Sequence, residues 1–186
     1  MIVELVRVSF ADQASLREWR NNPAVSKWMY TNHEIGEEEH NAWFDAMLAD
    51  ASKVYWKIVA DGVAVGSVFL TGVSSQGSSC EWGMYLADVN ARGKGVAQAA
   101  CALSFRYAFN DLAVDVVKCE AVAQNENAIG LYESVGYVRT GIQIDAVQRG
   151  GEMLSVVTLE LTRDSWNMSE SSVLQKLSEK GVSING

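Results

Sequence analysis

One stretch, Cys80–Phe109, limits what this chain can fold into more than any other. Cys80–Ala87 reads as a strand, Asp88–Ala91 as a short loop and Arg92-Gly93-Lys94-Gly95 as a tight turn. Val96–Phe109 then reads as a helix: Val96, Ala100, Leu103 and Tyr107 recur at helical spacing, and no Gly or Pro interrupts them. At the head of that helix Gly93 and Gly95 let the backbone come close to a ligand. The unpaired N–H groups of the first turn, at the positive end of the helix dipole, then face an anion. Arg92 and Lys94 flank the turn, so the pattern is that of a phosphate cradle built mainly of main chain.

Two common phosphate motifs do not account for it. No GxxxxGK[ST] is present, and the dinucleotide fingerprint breaks where Gln98 stands in place of the third glycine. A lone GxG also suits a plain turn, so a partner motif has to decide. Composition narrows the field meanwhile. A length of 186 residues suits one domain, with or without a tail, and 48% hydrophobic against 20% charged residues is ordinary for a soluble globular chain. A net charge of −8 argues against a broad basic face for nucleic acid. No apolar run is long enough to span a bilayer, and Met1-Ile2-Val3-Glu4 lacks a signal-peptide layout, so a cytoplasmic protein without membrane contact is expected. Cys80, Cys101 and Cys119 are odd in number and lack metal-ligand spacing; buried reduced thiols and no bound metal are the expectation.

In chain order, Ile2–Ser9 alternates as a strand and Asp12–Arg20 as a short helix that Asn21-Asn22-Pro23 stops. After the aromatic-rich passage Val25–Ile35, Gly36 fits an N-cap, with Glu37-Glu38-Glu39 compensating the dipole of a helix through Trp43, Phe44, Met47 and Leu48. Lys53–Ala60 and Val63–Thr71 form a hairpin about Asp61-Gly62, and Ser74–Ser79 is a loop. Val116–Ala123 is a further strand. Asn125 starts a compact helix ending near Gly136, which suits a left-handed cap. Tyr137–Ile144 and Met153–Leu161 pair around Gly150-Gly151. From Thr162 the chain turns polar and amphipathic, which fits either a docked helix or a partly disordered tail. The order β-α-α-β-β-β-α-β-α-β-β gives a mixed α/β (α+β) domain whose first four strands can run antiparallel.

The partner motif is Asn125-x-x-Ala128-Ile129-x-Leu131-Tyr132-x-x-x-Gly136-Tyr137. Together with Arg92-Gly93-Lys94-Gly95 it resembles the GNAT superfamily of N-acetyltransferases over nearly the whole span from Ile2 to Leu161. The resemblance implies the GNAT fold, a single mixed and mostly antiparallel sheet flanked by helices, in residues 1–161, with 162–186 as a tail. It implies acetyl-CoA as cosubstrate, held by Leu86, Ala87, Arg92, Gly93, Lys94, Gly95, Val96, Ala97 and Asn125, with Tyr132 beside the thiol. Asn90 departs from the Gln or Arg usual three residues before the first glycine, which removes a side-chain contact and leaves the backbone cradle.

The N-terminal half is similar to one branch. Trp19-Arg20-Asn21-Asn22-Pro23, Trp28-Met29-Tyr30-Thr31-Asn32-His33-Glu34-Ile35 and Glu38-Glu39-His40-x-x-Trp43-Phe44 resemble the pseudaminic-acid pathway N-acetyltransferases. Those enzymes acetylate the 4-amino group of UDP-4-amino-4,6-dideoxy-N-acetyl-β-L-altrosamine during flagellin glycosylation. The similarity implies that UDP-amino-sugar as substrate, a pocket of Met29, Tyr30, Trp43 and Tyr85, and Glu120 and Tyr132 as base and acid. Other acceptors, a protein N-terminus or an antibiotic amine, stay open, as does a non-catalytic acetyl-CoA-binding module. The expected assembly is a homodimer, with the tail and final hairpin as contact surfaces.

The chemistry fits these residues. A sugar amine attacks a thioester only when neutral, so a base must take its proton. Glu120, between Cys119 and Ala121 in a strand, is expected to be desolvated and so raised in pKa. Glu81, on the same side of its strand as Gly83 and Tyr85, is the rival, and either could act through a water. His33 and His40 are expected to pack and hydrogen-bond rather than react. A backbone N–H freed where the central strand is irregular, near Tyr85 or Leu86, could hold the oxyanion, and the Tyr132 hydroxyl the departing thiolate. Direct attack is preferred over an acetyl-cysteine, because no Cys has a His or helix N-terminus near it in sequence. Trp28, Tyr30, Trp43 and Tyr85 suit stacking on uracil and a deoxysugar, whereas Trp19, Trp56 and Trp82 read as core.

Overall fold

Period-two alternation carries much of the chain into strands: β1 (Ile2–Arg7), β2 (Val54–Ala60), β3 (Val63–Thr71), β4 (Ser79–Leu86), β5 (Val116–Val122), β6 (Val138–Arg149), β7 (Glu152–Thr162) and β8 (Ser183–Asn185). The computed structural model describes residues 1–74 and 77–185; of the expected Ser74–Ser79 loop, residues 75 and 76 lie outside the described residues. Among the described residues the strands form one sheet in the order β6-β7-β5-β4-β3-β2-β1-β8. Pairing is antiparallel except at β4–β5 and β1–β8, so the first four strands run antiparallel. Asp61 and Gly62, at φ 48° and 81°, take the two left-handed positions of the β2–β3 turn.

The helices are α1 (Gln13–Asn21), α2 (Pro23–Ser26), α3 (Glu37–Ala49), α4 (Val96–Arg106), α5 (Glu126–Ser134) and α6 (Arg163–Glu179). Pro23 ends α1 as expected but also opens α2: its fixed φ suits a first helical position, and the Asn22 side chain accepts from Ala24 N. The helix expected to reach Phe109 is α-helical only to Arg106, then widens into a π turn over Tyr107–Asp111. Asn125 caps α5 by accepting from Ala128 N, and Gly136 follows it at φ 107°.

Alternation divides the side chains between the two sheet faces. Val54, Trp56 and Ile58 join the main core with Ala99, Ala100, Cys101 and Phe105 of α4, all buried. Tyr55, from the other face, packs with Leu16, Phe44 and Met47 of α1 and α3. The tail is a docked element: Trp166, Val173, Leu177 and Val182 enter the main core, and β8 pairs in parallel with β1. The hairpin β6–β7 runs further than the sequence pattern shows. Register shifts between Arg139 and Gly141 and between Gln143 and Val147 break the alternation while backbone pairing continues to Arg149↔Glu152.

Candidate active site

The site begins where the sheet comes apart. Parallel pairing of β4 with β5 covers only Ser79–Glu81 against Val116–Lys118. Beyond it, Trp82–Leu86 and Cys119–Val122 diverge, and backbone groups facing the gap lose their strand partner. On its other edge β4 stays in register with β3 from Glu81 to Leu86. The freed N–H expected near Tyr85 or Leu86 therefore comes from this opening and not from an irregular β4; the bulge at this point lies between β2 and β3, at Ile58/Val59.

The glycine turn stands at the end of the gap. Gly93 and Gly95 have φ of 74° and 90°, and Gly95 is the N-cap of α4. A side chain on Gly93 would meet open space, whereas one on Gly95 would crowd Val182 and Leu177 at 3.2 and 3.3 Å. Gly93 thus faces outward and Gly95 is braced from behind by the tail. Ala99 N bonds to Gly95 O, leaving Val96, Ala97 and Gln98 N–H without an intrahelical acceptor. Lys94 is exposed at the turn and Val96 buried beneath it. Arg92 is differently used: its Nη2 donates to Leu86 O at 3.1 Å and Ala24 O at 3.2 Å. Leu86 and Ala87 are buried at the end of β4, where Ala87 N bonds to Val65 O. This cradle of free N–H groups over an open glycine fits a diphosphate.

Between the turn and the N-terminal helices lies a cavity of about 650 Å³. It unites the cofactor-side residues Asn125 and Tyr132 with Met29, Tyr30, Trp43, Tyr85, Glu81 and Glu120. Tyr30 and Trp43 are two-fifths exposed into it; Trp56 is core as expected, whereas Trp82, also buried, lines the cavity as well. The sequence reading missed Arg20, Tyr55 and Phe69 in the lining. Tyr55 and Phe69 are cross-strand partners stacked at 4.8 Å, and Trp43 meets Tyr55 edge-on at 5.8 Å, giving one aromatic wall. The Tyr55 position alternates with the core-facing Val54 and Trp56, a signal that places it on the α1/α3 side. Burial lowers the Arg20 pKa, against the pull of Tyr85 and Tyr55.

The two candidate bases are both exposed, against the burial expected for Glu120. Glu120 Oε2 accepts a 2.8 Å hydrogen bond from Tyr30 Oη. Burial and this bond raise the Tyr30 phenol well above its usual range. Glu81 is the carboxyl pushed up: the dehydration it does undergo raises its pKa, Lys118 pulls it back, and the nearby charges of Glu120 and Glu160 push it further.

Tyr132 is buried against Trp82 at 5.3 Å, and burial raises its pKa strongly. His40 is buried and its Nε2–H donates to Gln13 O at 2.8 Å; burial, with Arg17 and Arg20, lowers its pKa, so it is a neutral packing residue. His33 pairs with Glu39 at 3.0 Å. The cysteines are free and buried, with Cys80 pushed up to about 11 by burial and Glu81, so none is a ready thiolate. Among the described residues no group of three or more His, Cys, Asp or Glu could hold a metal, and no helix is long and apolar enough to cross a membrane.

The acetyltransferase (GNAT) domain family matches residues 3–138. The chain belongs to the GNAT acetyltransferases. It is 32% identical over 117 residues to acetyltransferase PseH of Campylobacter jejuni subsp. jejuni, spanning 62% of this chain and 70% of that protein. It is also similar to YdaF of Bacillus subtilis, a protein provisionally named as a ribosomal N-acetyltransferase, at 26% over 152 residues, 79% of this chain and 82% of the relative. Among solved structures, spermidine N-acetyltransferase from Vibrio cholerae in complex with CoA and spermine superposes with a TM-score of 0.80 at 18% identity, covering 89% of this chain and 98% of the other. This GNAT protein is an N-acetyltransferase, and acetyl-CoA is its cosubstrate.

Proposed function

We propose that this GNAT enzyme acetylates the 4-amino group of UDP-4-amino-4,6-dideoxy-N-acetyl-β-L-altrosamine, in the cytoplasm, on the route to the pseudaminic acid that decorates flagellin. The observation that carries the reading is the aromatic wall of Trp43, Tyr55 and Phe69 in the same cavity as the Tyr30–Glu120 pair. A planar base and the apolar face of a deoxysugar suit the wall, and an amine suits the carboxylates. The similarity to PseH and to the N-terminal motifs of that branch supports the same acceptor.

Acetyl-CoA supplies the thioester: the neutral amine attacks its carbonyl carbon, the C–N bond forms, the C–S bond breaks and CoA leaves as the thiolate, which takes its proton from solvent after release. The first-turn N–H groups of α4, with Lys94 beside them, would hold the diphosphate, and Leu86, Ala87, Val96 and Ala97 the neighbouring backbone. Asn125 keeps its Oδ1 on Ala128 N, which leaves its Nδ2 for the pantetheine arm. Glu120, oriented by Tyr30, binds the incoming ammonium, and Glu81, whose pKa burial raises, takes the proton directly or through water. Met29, Tyr30, Trp43 and Tyr85 contact the nucleotide sugar. The Tyr132 hydroxyl donates to the leaving sulfur.

The test is release of free thiol from acetyl-CoA with the UDP-amino-sugar, compared with peptides, aminoglycosides and spermidine. The account expects turnover with the sugar far above the rest. Tight CoA binding with no thiol released by any amine would make the chain a binding module, and preference for a peptide would move the acceptor to another class.

A further inference from the structure

The wall of the acceptor cavity between α2 and α3 is irregular, and its own hydrogen bonds are short-range. Trp28 N bonds to Val25 O and Met29 N to Ser26 O, each at 3.0 Å. Yet this stretch delivers Trp28, Met29, Tyr30 and Thr31 to the cavity. A surface segment held only by local turns opens readily, so longer ties must set its position. Two of those ties are arginines from distant parts of the chain. Arg149, at the tip of the β6–β7 hairpin, donates from Nη1 to Lys27 O at 2.5 Å and Met29 O at 3.4 Å. Arg92, in the cofactor turn, donates from Nη2 to Ala24 O and Leu86 O. Further ties among the described residues are Tyr30 to Glu120, Asn22 Nδ2 to Ala87 O at 3.5 Å, and the Asn21 side chain to Ile35.

We propose that Arg149 and Arg92 are positioning residues for the acceptor, clamping the Ala24–Tyr30 wall by its carbonyl oxygens so that Met29 and Tyr30 meet the substrate in fixed places. The clamp rests on the reading of this cavity as the acceptor site.

The Arg149 side chain is only 18% exposed and pairs with Glu152 at 3.8 Å, so its charge is withdrawn from water for a structural purpose. One guanidinium nitrogen, Nη1, reaches both carbonyls, its two N–H groups held in the plane of the group, whereas a lysine ammonium turns freely on a flexible stem. The hairpin tip also lies against the wall beside Arg149: a side chain on Gly150, at φ 54°, would collide with Asn32 Nδ2. Arg92 joins the two halves of the site, because it ties the turn that leads into the α4 cradle to the helix that leads into the acceptor wall. Its guanidinium therefore serves the acceptor wall rather than the diphosphate.

The experiment compares Arg149→Ala, Arg149→Lys and Arg92→Gln with the parent enzyme by steady-state kinetics in both substrates, CoA calorimetry and amide hydrogen exchange over residues 24–32. Losing these charge-assisted bonds should raise the acceptor KM roughly tenfold in Arg149→Ala and Arg92→Gln. The CoA dissociation constant should stay within about twofold, which also reports an intact fold, and exchange should quicken at Val25, Trp28 and Met29. Arg149→Lys should recover part of the loss. Unchanged acceptor KM and unchanged exchange in Arg149→Ala would overturn the clamp. Weakened CoA binding with an unaltered acceptor KM in Arg92→Gln would make Arg92 a phosphate ligand and overturn its part. Should the parent accept a different amine, the assignment of the sugar fails, while the exchange data and the KM for that amine still judge the clamp.

Discussion

Replacing Tyr132 with phenylalanine removes one oxygen and little else. The ring is 7% exposed and stays wedged between Trp82 at 5.3 Å and Tyr137 at 5.9 Å, so the fold and the cofactor cradle at the head of α4 have no reason to move. What is lost is a donor to the departing sulfur. Burial holds the phenol pKa well above its ordinary range, so the hydroxyl is a weaker acid than a free tyrosine. Its contribution is then that of a hydrogen bond to a developing anion, about 1.5–3 kcal/mol, and not a full proton transfer. At about 1.4 kcal/mol per decade, kcat should fall roughly ten- to a hundredfold. Thiol release followed at saturating substrates gives kcat, and calorimetry gives CoA affinity, expected to change less than about twofold because the bond strengthens only as the sulfur gains charge. An unaltered kcat would refute the role. So would a loss confined to CoA affinity, which would make Tyr132 a wall of the cofactor site and nothing more.

Other expectations follow from the same geometry. Gly93→Ala puts a side chain at φ 74° and into the open space over the turn; it should weaken CoA binding roughly tenfold, and undiminished affinity would move the diphosphate elsewhere. If Glu81 is the base, kcat/KM must rise with pH through a carboxyl pKa above the ordinary range, and Glu81→Gln should abolish that acid limb, whereas a limb that survives assigns it to Glu120. Asp12→Asn should cost about 2 kcal/mol at neutral pH by breaking the 2.6 Å bond to Lys57 Nζ and weakening those from Ser9. Burial alone would raise the Asp12 pKa, but Lys57 and Ser9 outweigh it and lower it. The stabilisation is therefore present above the ordinary value of 3.8 and fades as pH falls through the lower folded value. Denaturant melts of both forms that stay parallel into strong acid would contradict this.

Much of the architecture was legible because its signals are local. Asp61-Gly62 can hardly avoid a hairpin turn, Gly95 at φ 90° can hardly avoid ending one element and starting another, and Asn125 carries its own cap. The aromatic passage between α1 and α3 was legible through resemblance more than through periodicity. What stayed hidden depends on distant partners. Phe69 enters the cavity because it pairs with Tyr55 across β2–β3, and β8 holds only three residues, too few to show alternation. Glu120 sits between apolar neighbours in sequence, as a buried residue would, but its side chain is exposed. Arg92 flanks the glycine turn in sequence, and its bonds to Leu86 O and Ala24 O join carbonyls that no local pattern brings together.

The central claim is that one cavity brings an acyl thioester and an amine together between β4 and β5. A crystal structure of the protein with CoA and the UDP-amino-sugar tests it most directly. The account predicts the diphosphate on the N–H groups following Gly95, the sulfur within hydrogen-bonding reach of Tyr132 Oη, and the sugar amine facing Glu81 and Glu120. A diphosphate bound away from Gly93 and Gly95, or a sulfur remote from Tyr132 and both carboxylates, would contradict it.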